Sequence, residues 1–457
     1  MNVILTDHPG DVGKQRANTI AHQDCACDCQ CACPTDGSPV PVLSLPVAYY
    51  LELTPLCNNR CPGCGNVYAA ERQVPPFPGK DAAPLDGQGW QTLLARLGKH
   101  AHHLKLTGGE PTLHPDFVNI VRAVDTLQIP FTLFTNGRWP QPDVVLGLLQ
   151  AVETCQGMLV SLHGPDPATH EAFSGVPGSF AETIANLRHA HWAHIYFATS
   201  IVITRYNWNQ IGQTLDLALA LGARHVVCNR FIGAPDADVA PSEAQLRHAI
   251  ETVESLRRQD RPIRYGNCIP QCFAPSASRG CTAGSTFATI DPWGRMRPCN
   301  HAPWIAGDLQ TQTIEQIWHG DVMRRWRDMI PAHCLSCTAF AQCHGGCRAQ
   351  ALLAHSSRDP LVREQAIIEK AVSPIVLSLY KKLRPVGKFA TNADPKILID
   401  NGRVMVVPAG CETLSSRLDG SLTLEQIERT YGSTAVDWIG ALYQQEMVSW
   451  DEANHAL

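Results

Sequence analysis

The stretch LELTPLCNNRCPGC, residues 51–64, places three cysteines directly behind an apolar segment that is typical of a β-strand. Cys57, Cys61 and Cys64 lie on one short loop. Cysteine thiolates hold iron–sulfur clusters, and a cluster of four irons normally takes four of them. Three ligands on one loop leave one metal position open, as at catalytic rather than structural sites. A zinc ion completed by a distant fourth ligand is the competing interpretation.

Apolar runs that are typical of strands alternate with helical patterns over about residues 48–258. Helical patterns separate the apolar runs, so six strand–helix units predict an α/β fold with a parallel sheet. Such a sheet binds ligands beyond the carboxyl ends of its strands. The strands are predicted at 48–53, 103–108, 131–135, 157–163, 195–204 and 225–231.

Composition narrows the class of protein. The chain has 457 residues, a net charge of −5 and 19 cysteines. The charge does not favour a nucleic-acid partner. No uncharged apolar run is long enough to span a membrane. The amino terminus lacks the apolar region of a signal peptide, so we expect a cytoplasmic protein. In that compartment metal or cluster ligation is favoured over disulfides.

A second group of cysteines lies in a region rich in Cys, Pro and Gly that begins near residue 259. Cys281, Gly294 and Cys299 fit the spacing C-x(9–15)-G-x4-C. The segment 334–347 fits C-x2-C-x5-C-x3-C. Metal binding can replace a large hydrophobic core in such a region. Two structural zinc sites are the alternative.

With the first loop, these features resemble the radical SAM superfamily, in which CxxxCxxC follows strand one of a partial (β/α)6 TIM-like barrel. The resemblance implies a [4Fe-4S] cluster at Cys57, Cys61 and Cys64 whose open iron binds S-adenosylmethionine (SAM). One electron then cleaves SAM to methionine and a 5′-deoxyadenosyl radical, which abstracts a substrate hydrogen. The aromatic residue that usually precedes the third cysteine is replaced by Gly63, and Tyr68 is a candidate for its role.

The resemblance also implies which strand ends contact SAM. The segment TGGEP at 107–111 matches the one that binds the SAM amino group. Its glycines allow close backbone approach, and its carboxylate pairs with an ammonium. TNG at 135–137 resembles the ribose-contacting segment, and SLHG at 161–164 resembles one that faces SAM. His163 replaces a commoner acid, so structural and catalytic roles compete. The cofactor-binding residues implied are Gly108, Gly109, Glu110, Asn136 and Ser161.

The second cysteine group resembles the SPASM extension of radical SAM peptide-modifying enzymes, which holds one or two auxiliary iron–sulfur clusters. By position, the first auxiliary cluster would use Cys281, Cys299 and Cys347 with Cys272, and Cys268 is second choice for the last place. The second cluster would use Cys334, Cys337 and Cys343.

The fourth ligand of the second auxiliary cluster is left open. In the family it is a cysteine behind a DP-like segment, and none follows Asp359-Pro360 here. The alternatives are Asp359, His355, Cys411, a cysteine of the amino-terminal segment, and an iron left open for substrate. Outside these groups, Cys155, Cys228 and Cys411 fit small buried hydrophobic residues better than ligands.

The carboxyl-terminal segment, 390–457, resembles the small winged-helix-like PqqD-type modules that bind leader peptides. Residues 396–407 predict a hairpin with Asn-Gly at its turn, and Thr423 is a helix N-cap. Acidic residues outnumber Lys and Arg in the segment, which argues against binding phosphate. A strand edge at 402–407 would take up an extended peptide. A domain that only packs on the barrel is the alternative.

The predicted organisation has five parts. They are a Cys-rich disordered tail at 1–45, the barrel at 46–258, the SPASM region at 259–360, a helix and linker at 361–389, and the PqqD-like domain at 390–457. Cysteines alternate strictly over 25–33 in the tail. Binding a soft metal, supplying the missing cluster ligand, and acting as a substrate modified in cis are its competing roles.

The resemblance implies a radical SAM oxidoreductase that matures a ribosomally made precursor peptide, held by its leader. An oxidative crosslink is the expected product. Flavodoxin or ferredoxin is the expected electron donor, and no nucleic acid or membrane partner is expected. Two alternatives stay open. One is a radical SAM enzyme that acts on a folded protein or a small molecule. The other is a non-catalytic iron–sulfur or metal-binding protein for electron transfer.

Overall fold

The chain divides into two units. One spans Ser38–Ile368, and the other combines Met1–Gly37 with Glu369–Leu457. The predicted cysteine segment 25–33 lies outside the described residues, and the five predicted domain limits stay predictions. The computed structural model describes residues 3–6, 40, 42–68, 82–98, 100–234, 237–277, 280–364, 375–378, 383–385, 388–390, 396–400, 403–408, 410–444 and 447–450.

Strands and helices alternate through the first unit. The bounds below cover the elements of both units. The strands are β1 (Val3–Thr6), β2 (Ala48–Glu52), β3 (His103–Thr107), β4 (Phe131–Thr135), β5 (Cys155–Ser161), β6 (Phe197–Ile203), β7 (Val226–Arg230), β8 (Ile263–Tyr265), β9 (Phe287–Ile290), β10 (Arg295–Arg297), β11 (Gly307–Asp308), β12 (Ile375–Ser378), β13 (Leu383–Pro385), β14 (Lys388–Ala390), β15 (Ile397–Asp400), β16 (Arg403–Val406) and β17 (Val448–Trp450). The helices are α1 (Gly87–Leu97), α2 (Phe117–Thr126), α3 (Pro142–Ala151), α4 (Pro167–Ser174), α5 (Ser179–Trp192), α6 (Ile211–Ala220), α7 (Glu243–Arg258), α8 (Ile314–Trp318), α9 (Asp321–Asp328), α10 (Ala332–Leu335), α11 (Phe340–Cys343), α12 (Arg348–Leu353), α13 (Leu424–Tyr431) and α14 (Ser433–Gln444).

A ten-stranded sheet organises the first unit, in the order β11-β10-β9-β2-β3-β4-β5-β6-β7-β8. The pairs from β9 to β8 are all parallel, and β10 and β11 extend the β9 edge in antiparallel pairing. The six strands predicted from the sequence are β2 to β7, so the predicted parallel α/β architecture is confirmed. Their carboxyl ends lie along one edge of the sheet, as parallel strands require.

The two faces of this sheet differ in burial. Side chains alternate along a strand, so every second residue shares a face. On one face apolar residues such as Leu133 and Val160 pack in the main hydrophobic core with apolar residues of α1, α2, α3, α5, α6 and α7. The opposite face, called here the inner face, keeps partial solvent exposure on β4 to β7. Its partly exposed residues are Thr132, Phe134, Leu159, Ser161, Ser200, Val202, Val227 and Asn229.

Local sequence fixes the helix starts. The side chain of Asp86 accepts the Gly89 N–H at the start of α1, and a capping box begins α7. Helix α4 was not predicted, because eight residues give a short periodic signal. Its signals are nevertheless present, with Asp166 as N-cap, Pro167 at the first helical position and Gly175 in the left-handed region at its end.

The cysteine-rich part of the first unit contains short elements, β9 to β11 and α8 to α12, and also buried aromatic residues. Trp318 and Trp326 are fully buried, and their indole N–H groups donate to Leu43 O at 2.8 Å and Ala283 O at 2.9 Å. This region therefore packs a hydrophobic core as well as gathering cysteines.

The second unit is an α+β module. Strands β14, β15 and β16 form an antiparallel sheet in that order, and Asp400 pairs with Arg403 across the predicted hairpin turn. Its separate core includes Leu398, Ile427 and Ile439. Helix α13 starts at the predicted N-cap, Thr423, with a capping box, and α14 follows it. A short 3₁₀ helix, Glu412–Ser416, precedes α13.

Two sequence-based predictions are wrong in this unit. A helix was predicted within the segment 361–389, but Ile375–Ser378 forms β12, because Pro374 interrupts the helical pattern and the residues after it favour strands. The amino-terminal segment was predicted to be a tail, but Val3–Thr6 forms β1 and pairs in parallel with β12. The same predicted segment, 361–389, also contributes β13 and the first residues of β14.

Candidate functional site

The loop with three cysteines, residues 57–64 and called here the triad loop, begins just beyond the carboxyl end of β2. The N–H of Gly109 donates to Thr54 O at 2.7 Å, and the next N–H donates to Leu56 O at 2.7 Å. A Cβ on Gly109 would lie 2.2 Å from Leu56 O, and one on Gly108 would lie 2.7 Å from Thr54 O. Only glycine allows this approach, so the predicted glycine pair holds the backbone that leads into the triad loop.

The three thiols of the triad loop lie close enough to affect one another. Burial is the largest cause that raises the pKa of Cys61, and the neighbouring thiols of Cys64 and Cys57 raise it further. Burial chiefly raises the pKa of Cys57 to about 11. The backbone N–H groups of Asn59 and Asn66 donate to Cys57 Sγ and Cys64 Sγ, both at 3.4 Å. Crowded thiols that resist ionisation become thiolates when a cation binds between them, so this donor set fits an iron–sulfur cluster.

The residues after β4 hold the other side of the triad loop. The side-chain amide of Asn136 donates to Asn58 Oδ1 at 2.7 Å and lies 3.9 Å from Cys57 Sγ. Arg138 donates to Asn58 O at 2.6 Å and to Glu182 Oε2 at 2.8 Å. The predicted TNG segment therefore reaches the first cysteine directly.

Helix α4 supports the middle of the triad loop. The Arg60 N–H donates to Ser174 O at 2.8 Å, and Cys61 Sγ lies 3.8 Å from the same oxygen. Gly175 has φ of 70°, and a Cβ there would lie 2.4 Å from Arg60 O. Helix α4, which was not predicted, thus ends at Gly175, whose left-handed conformation allows close contact with Arg60, the residue before Cys61.

Glu110 is fully buried and connects the ends of β3 and β4. Its Oε1 accepts hydrogen bonds from the hydroxyl groups of Thr112 and Thr135, each at 2.8 Å, and its Oε2 accepts the Asn136 N–H at 2.8 Å. Burial raises the pKa of Glu110, and these donors act in the opposite direction. The carboxylate that was assigned to SAM thus also fixes the strand ends around the triad loop.

At the end of β5, Ser161 is partly exposed whereas His163 is buried. Ser161 ends the strand on the partly exposed inner face, opposite Ser200 of β6. His163 is buried, accepts the Val202 N–H at Nδ1 at 3.3 Å, and packs on the Phe173 ring at a centroid distance of 4.2 Å. Burial lowers its pKa well below the usual range, so the imidazole is neutral. These contacts favour the structural interpretation of His163.

Gly63 departs from the family pattern, and the structure gives a steric reason. A Cβ at Gly63 would lie 2.7 Å from the Phe173 ring and 3.0 Å from the Phe231 ring. Two aromatic rings from other segments therefore crowd the position before the third cysteine. Tyr68 points elsewhere and packs edge-on against Trp293 at 5.4 Å between ring centroids.

Four polar or amphipathic side chains on the strands were not predicted to lie at the site. Lys105 Nζ donates to Tyr50 Oη at 2.7 Å and lies 4.3 Å from that ring's centroid. On the inner face, Asn229 Nδ2 donates to Ser200 Oγ at 2.9 Å. The signal for all four was their position at every second residue of a predicted strand, on the side opposite the apolar core.

A buried ion pair joins the barrel to the cysteine-rich region. Arg297 Nη2 donates to Glu52 Oε2 at the end of β2, and Arg297 Nη1 donates to Ala302 O at 2.8 Å. Burial raises the pKa of Glu52 to about 7, although Arg297 acts to lower it. Since Cys299 lies between Arg297 and Ala302 in the sequence, this pair ties a downstream cysteine to the strand that precedes the triad loop.

The downstream cysteines separate into two sets. The first cysteine set packs in one buried cluster and consists of Cys268, Cys281, Cys299 and Cys347. After burial, Cys347 and Cys281 are the largest causes that raise the pKa of Cys299. The sequence-based order of preference is reversed here, because Cys268 joins this set and Cys272 does not.

The second cysteine set lines one small cavity and consists of Cys272, Cys334, Cys337 and Cys343. Burial raises the pKa of Cys334 to about 12, and Cys343, Cys272 and Cys337 add to the effect. The three cysteines predicted together are together, and the fourth thiol comes from the segment before Phe273.

The other candidates for a fourth ligand lie elsewhere. Asp359 is buried and accepts both Arg230 Nη groups, at 2.5 and 3.1 Å, and the Cys347 N–H at 2.8 Å. His355 is exposed at a left-handed φ of 48°. Cys411 is buried in the core of the second unit. Cys228 is in the main core, and Cys155 packs against it, as expected for small apolar residues.

The spacing of these groups bears on zinc. In the described ranges, no three His, Cys, Asp or Glu side chains are arranged to hold one metal ion. A tetrahedral zinc ion binds thiolates at about 2.3 Å and so draws them tightly together. A multi-iron cluster binds each thiolate at a different iron and needs a wider set of sulfurs.

A parallel barrel with an open three-thiol loop at its strand ends, followed by two sets of four thiols, defines an iron–sulfur enzyme. Two family descriptions match the chain, namely the radical SAM superfamily over residues 51–218 and SPASM, an iron–sulfur cluster-binding domain, over 281–344. The PqqA peptide cyclase of Ruegeria pomeroyi is 31% identical over 338 residues, covering 70% of this chain and 87% of that protein. The chain belongs to the radical SAM superfamily and carries a SPASM domain. Its cofactors are a [4Fe-4S] cluster that binds SAM, SAM itself and auxiliary iron–sulfur clusters.

Other similar proteins differ in what they act on. The AdoMet-dependent heme synthase of Methanosarcina barkeri is 26% identical over 328 residues, covering 66% of this chain and 91% of that one. Among solved structures, Streptococcus suis SuiB bound to precursor peptide SuiA superposes with a TM-score of 0.58 at 18% identity, covering 70% of this chain and 76% of that chain. The AdoMet-bound anSMEcpe structure gives 0.55 at 15% identity, covering 69% and 93%. These two superpositions establish the barrel fold. In the part of the chain that the structure describes, every helix is too short or too polar to cross a membrane.

Proposed function

We propose that this enzyme modifies a ribosomally synthesised precursor peptide by hydrogen abstraction, with net oxidation such as a crosslink. The observation that carries the proposal is the contact between Cys57 and Asn136, which brings the triad loop to the carboxyl end of β4, one of the strands that form the inner face. That face offers partly exposed polar and apolar side chains over four strands, which suits a peptide segment better than a small rigid ligand. Relatives named as PqqA peptide cyclases support the same substrate class.

In this proposal Cys57, Cys61 and Cys64 hold the SAM-binding cluster. When bound, the cluster and SAM supply a carbon radical that removes a substrate hydrogen atom. The chain positions SAM through Gly108, Gly109, Glu110, Asn136 and Ser161. Oε2 of Glu110 accepts one protein hydrogen bond and has capacity for a second, which suits the SAM ammonium group. The glycines expose backbone to the ligand at the strand ends.

The two downstream cysteine sets hold the auxiliary clusters. Buried surroundings and N–H donors to sulfur, such as Gln350 N to Cys347 Sγ at 3.5 Å, are the means by which a protein sets cluster potential. Auxiliary clusters in addition to the SAM-binding cluster favour a reaction that removes electrons from the substrate. We further propose reduction by flavodoxin or ferredoxin and a cytoplasmic location.

The second unit binds the leader of the peptide, in the manner of PqqD-type modules. Within the described residues, β16 forms one edge of its sheet. Residue pairs of an antiparallel hairpin alternate between hydrogen-bonded and non-hydrogen-bonded. Val407 is in a hydrogen-bonded pair, because its N–H donates to Lys396 O at 2.8 Å. By this alternation Val404 and Val406 are in non-hydrogen-bonded pairs, so their N–H and C=O groups point away from β15. An extended leader strand would pair with these groups.

The experiment that tests the radical SAM chemistry is anaerobic reductive cleavage of SAM. The reconstituted enzyme receives SAM and dithionite, and 5′-deoxyadenosine is quantified against the Cys57→Ala/Cys61→Ala/Cys64→Ala variant, with Cys155→Ala as the matched control. Deoxyadenosine from the wild type and the control, but not from the triple variant, is expected. None from a fully reconstituted wild type supports the electron-transfer alternative instead.

The substrate class is tested by co-expression with any short reading frame for a Cys- or aromatic-bearing peptide that is found beside the gene. Loss of two hydrogen atoms from the encoded peptide, dependent on the triad cysteines, is expected. A second candidate is a non-peptide substrate, favoured by the match to nearly the full length of a heme synthase. That candidate predicts an unmodified peptide and turnover that does not depend on any leader.

A further inference from the structure

We propose that Cys272 is the fourth ligand of the second auxiliary cluster, completing a set with Cys334, Cys337 and Cys343. The inference deepens the proposed function, because it assigns the residues of one of its clusters. In this chain the missing downstream cysteine is replaced by one that precedes both SPASM motifs in sequence. The second auxiliary cluster is then fully ligated by protein and has no iron left open for substrate.

The cavity geometry carries the assignment. Cys272 lines the same cavity as the other three thiols, which belong to α10, the turn after it and α11. The N–H of Gln271 donates to Cys343 Sγ at 3.5 Å, so the segment that bears Cys272 is already in contact with a member of the set. Gly280, eight residues after Cys272, packs against α11, since a Cβ there would lie 2.3 Å from Gln342 O.

The surroundings of the Cys272 sulfur suit a ligand. The Arg363 N–H donates to Cys272 Sγ at 3.3 Å, and the sulfur lies 3.9 Å from Leu361 O. Backbone N–H donors to thiolate sulfur stabilise the charged form and tune cluster potential. The same kind of donor reaches Cys343 in this set and Cys347 in the first.

One short segment then serves both auxiliary clusters. Cys268 packs with the first cysteine set and Cys272 lines the cavity of the second. Between them, Pro270 O accepts the Phe273 N–H at 2.9 Å, which turns the chain and separates the two thiols. Two cysteines four residues apart therefore point to different sets, and neither set needs a ligand from the other.

The rival ligands are weaker on structural grounds. Asp359 is engaged by Arg230 and by the Cys347 N–H, and its carboxylate has little acceptor capacity left. His333 lines the cavity, and its Nε2 is buried with no hydrogen-bond partner among the described residues. Thiolate is the preferred donor for iron–sulfur clusters, so we assign His333 a hydrogen bond to the cluster and Cys272 the iron.

Iron content by cysteine set tests the assignment without using turnover. The wild-type holoprotein is expected to hold about twelve irons in three clusters. Cys272→Ala and Cys334→Ala should each lose the second auxiliary cluster or leave a three-iron remnant with its own EPR signal. The double variant Cys272→Ala/Cys334→Ala should lose no more than Cys334→Ala does. Cys155→Ala keeps the full complement, and His333→Ala should keep the iron but shift the reduction potential.

The clusters that each double variant loses also show which result would contradict the assignment. If Cys272→Ala/Cys334→Ala loses two auxiliary clusters while Cys272→Ala/Cys281→Ala loses one, then Cys272 belongs to the first set and the proposal is overturned. A wild-type iron content in Cys272→Ala also overturns it. Both results concern only cluster assembly, so they are separate from failure to cleave SAM, which would instead count against the proposed function.

A measurement on the unaltered holoprotein covers the case in which the variants do not fold. Alkylation with iodoacetamide, read by mass spectrometry during graded removal of iron by a chelator, reports when each thiol is released. Cys272 and Cys337 are both half-buried, and Cys155 of similar exposure is the labelled control. Cys272 is expected to become reactive together with Cys337. Labelling of Cys272 in the intact holoprotein, at the rate of Cys155, would refute the assignment.

Discussion

The side-chain amide of Asn136 lies 3.9 Å from the sulfur of Cys57 and donates to Asn58 Oδ1 at 2.7 Å. Asn136→Ala removes both contacts. A hydrogen bond to a charged group contributes roughly 1.5–3 kcal/mol, so SAM cleavage should slow by about tenfold or more. Deoxyadenosine formation at saturating SAM, normalised to iron content, measures the effect. An unchanged rate per cluster would show that Asn136 does not support the site.

Gly109 is predicted to be irreplaceable in the approach of β3 to the triad loop. In Gly109→Ala the new Cβ meets the backbone of Leu56 at 2.2 Å, and backbone cannot move aside as a flexible side chain can. We expect a loss of about 2–4 kcal/mol in unfolding free energy, as for other overpacked buried sites. Urea unfolding and iron content are the measurements. The control is Gly147→Ala in α3, where nothing lies within 4 Å and a gain of about 0.5–1 kcal/mol is expected.

The buried pair of Arg230 and Asp359 should be costly to break from one side. Arg230→Met leaves a buried carboxylate whose remaining donors include only the N–H groups of Cys347 and Leu361. Removing one partner of such a pair costs about 3–5 kcal/mol. Urea unfolding of Arg230→Met and of Arg230→Met/Asp359→Leu is the test. The double variant should recover part of the loss, and equal stability of the two would contradict a charge-based cause.

A buried histidine makes stability depend on pH. Burial, and after it the positive charge of Lys105, lowers the pKa of His103 to about 3 in the folded protein. In the unfolded chain the pKa of this histidine is near its usual 6.5. The unfolded state therefore binds a proton that the folded state does not, and stability falls as pH drops below about 6.5. At about pH 5 the contribution is about 2 kcal/mol. The stability difference between wild type and His103→Asn should narrow by that amount between about pH 7.5 and 5. A constant difference over this range argues against a neutral His103.

The open edge of β16 provides a test of leader binding. Val406→Pro removes an outward-pointing N–H without breaking the pairing with β15, because prolines are tolerated at sheet edges. Binding of a synthetic leader from the precursor peptide that the co-expression experiment identifies should weaken about tenfold, measured by fluorescence anisotropy. Val406→Thr keeps the N–H and the branched side chain and should bind as the wild type does. Equal binding by all three proteins places the leader elsewhere.

Most of the barrel could be predicted because strands β2 to β7 and their helices carry strong, regular hydrophobic patterns. The triad loop and the strand-end segments were predicted from short local motifs. The structure brings Asn136 against that loop and the Gly108–Gly109 pair against the backbone that leads into it. Local pattern was also enough for the N-cap at Thr423.

Other features depend on contacts that no local pattern contains. Arg230 and Asp359 lie 129 residues apart, and neither position carries a signal for the other. Spacing alone could not tell which of Cys268 and Cys272 joins which set, because both lie near the same motif. The strand at Ile375–Ser378 was predicted as helix because its partner, β1, is at the other end of the sequence.

The parallel pairing of Val3–Thr6 with Ile375–Ser378 sets an order of events during synthesis. The strand that leaves the ribosome first waits for its partner until most of the chain has been made, at about 5–20 residues per second. All residues of the barrel unit emerge during that wait, so this unit is able to fold and acquire iron and sulfide first. Closing so long a loop also carries a large entropy cost. We therefore expect the second unit to form last, after the first unit has matured. Under the proposed function, a nascent enzyme would then not capture leader peptides before it can act on them.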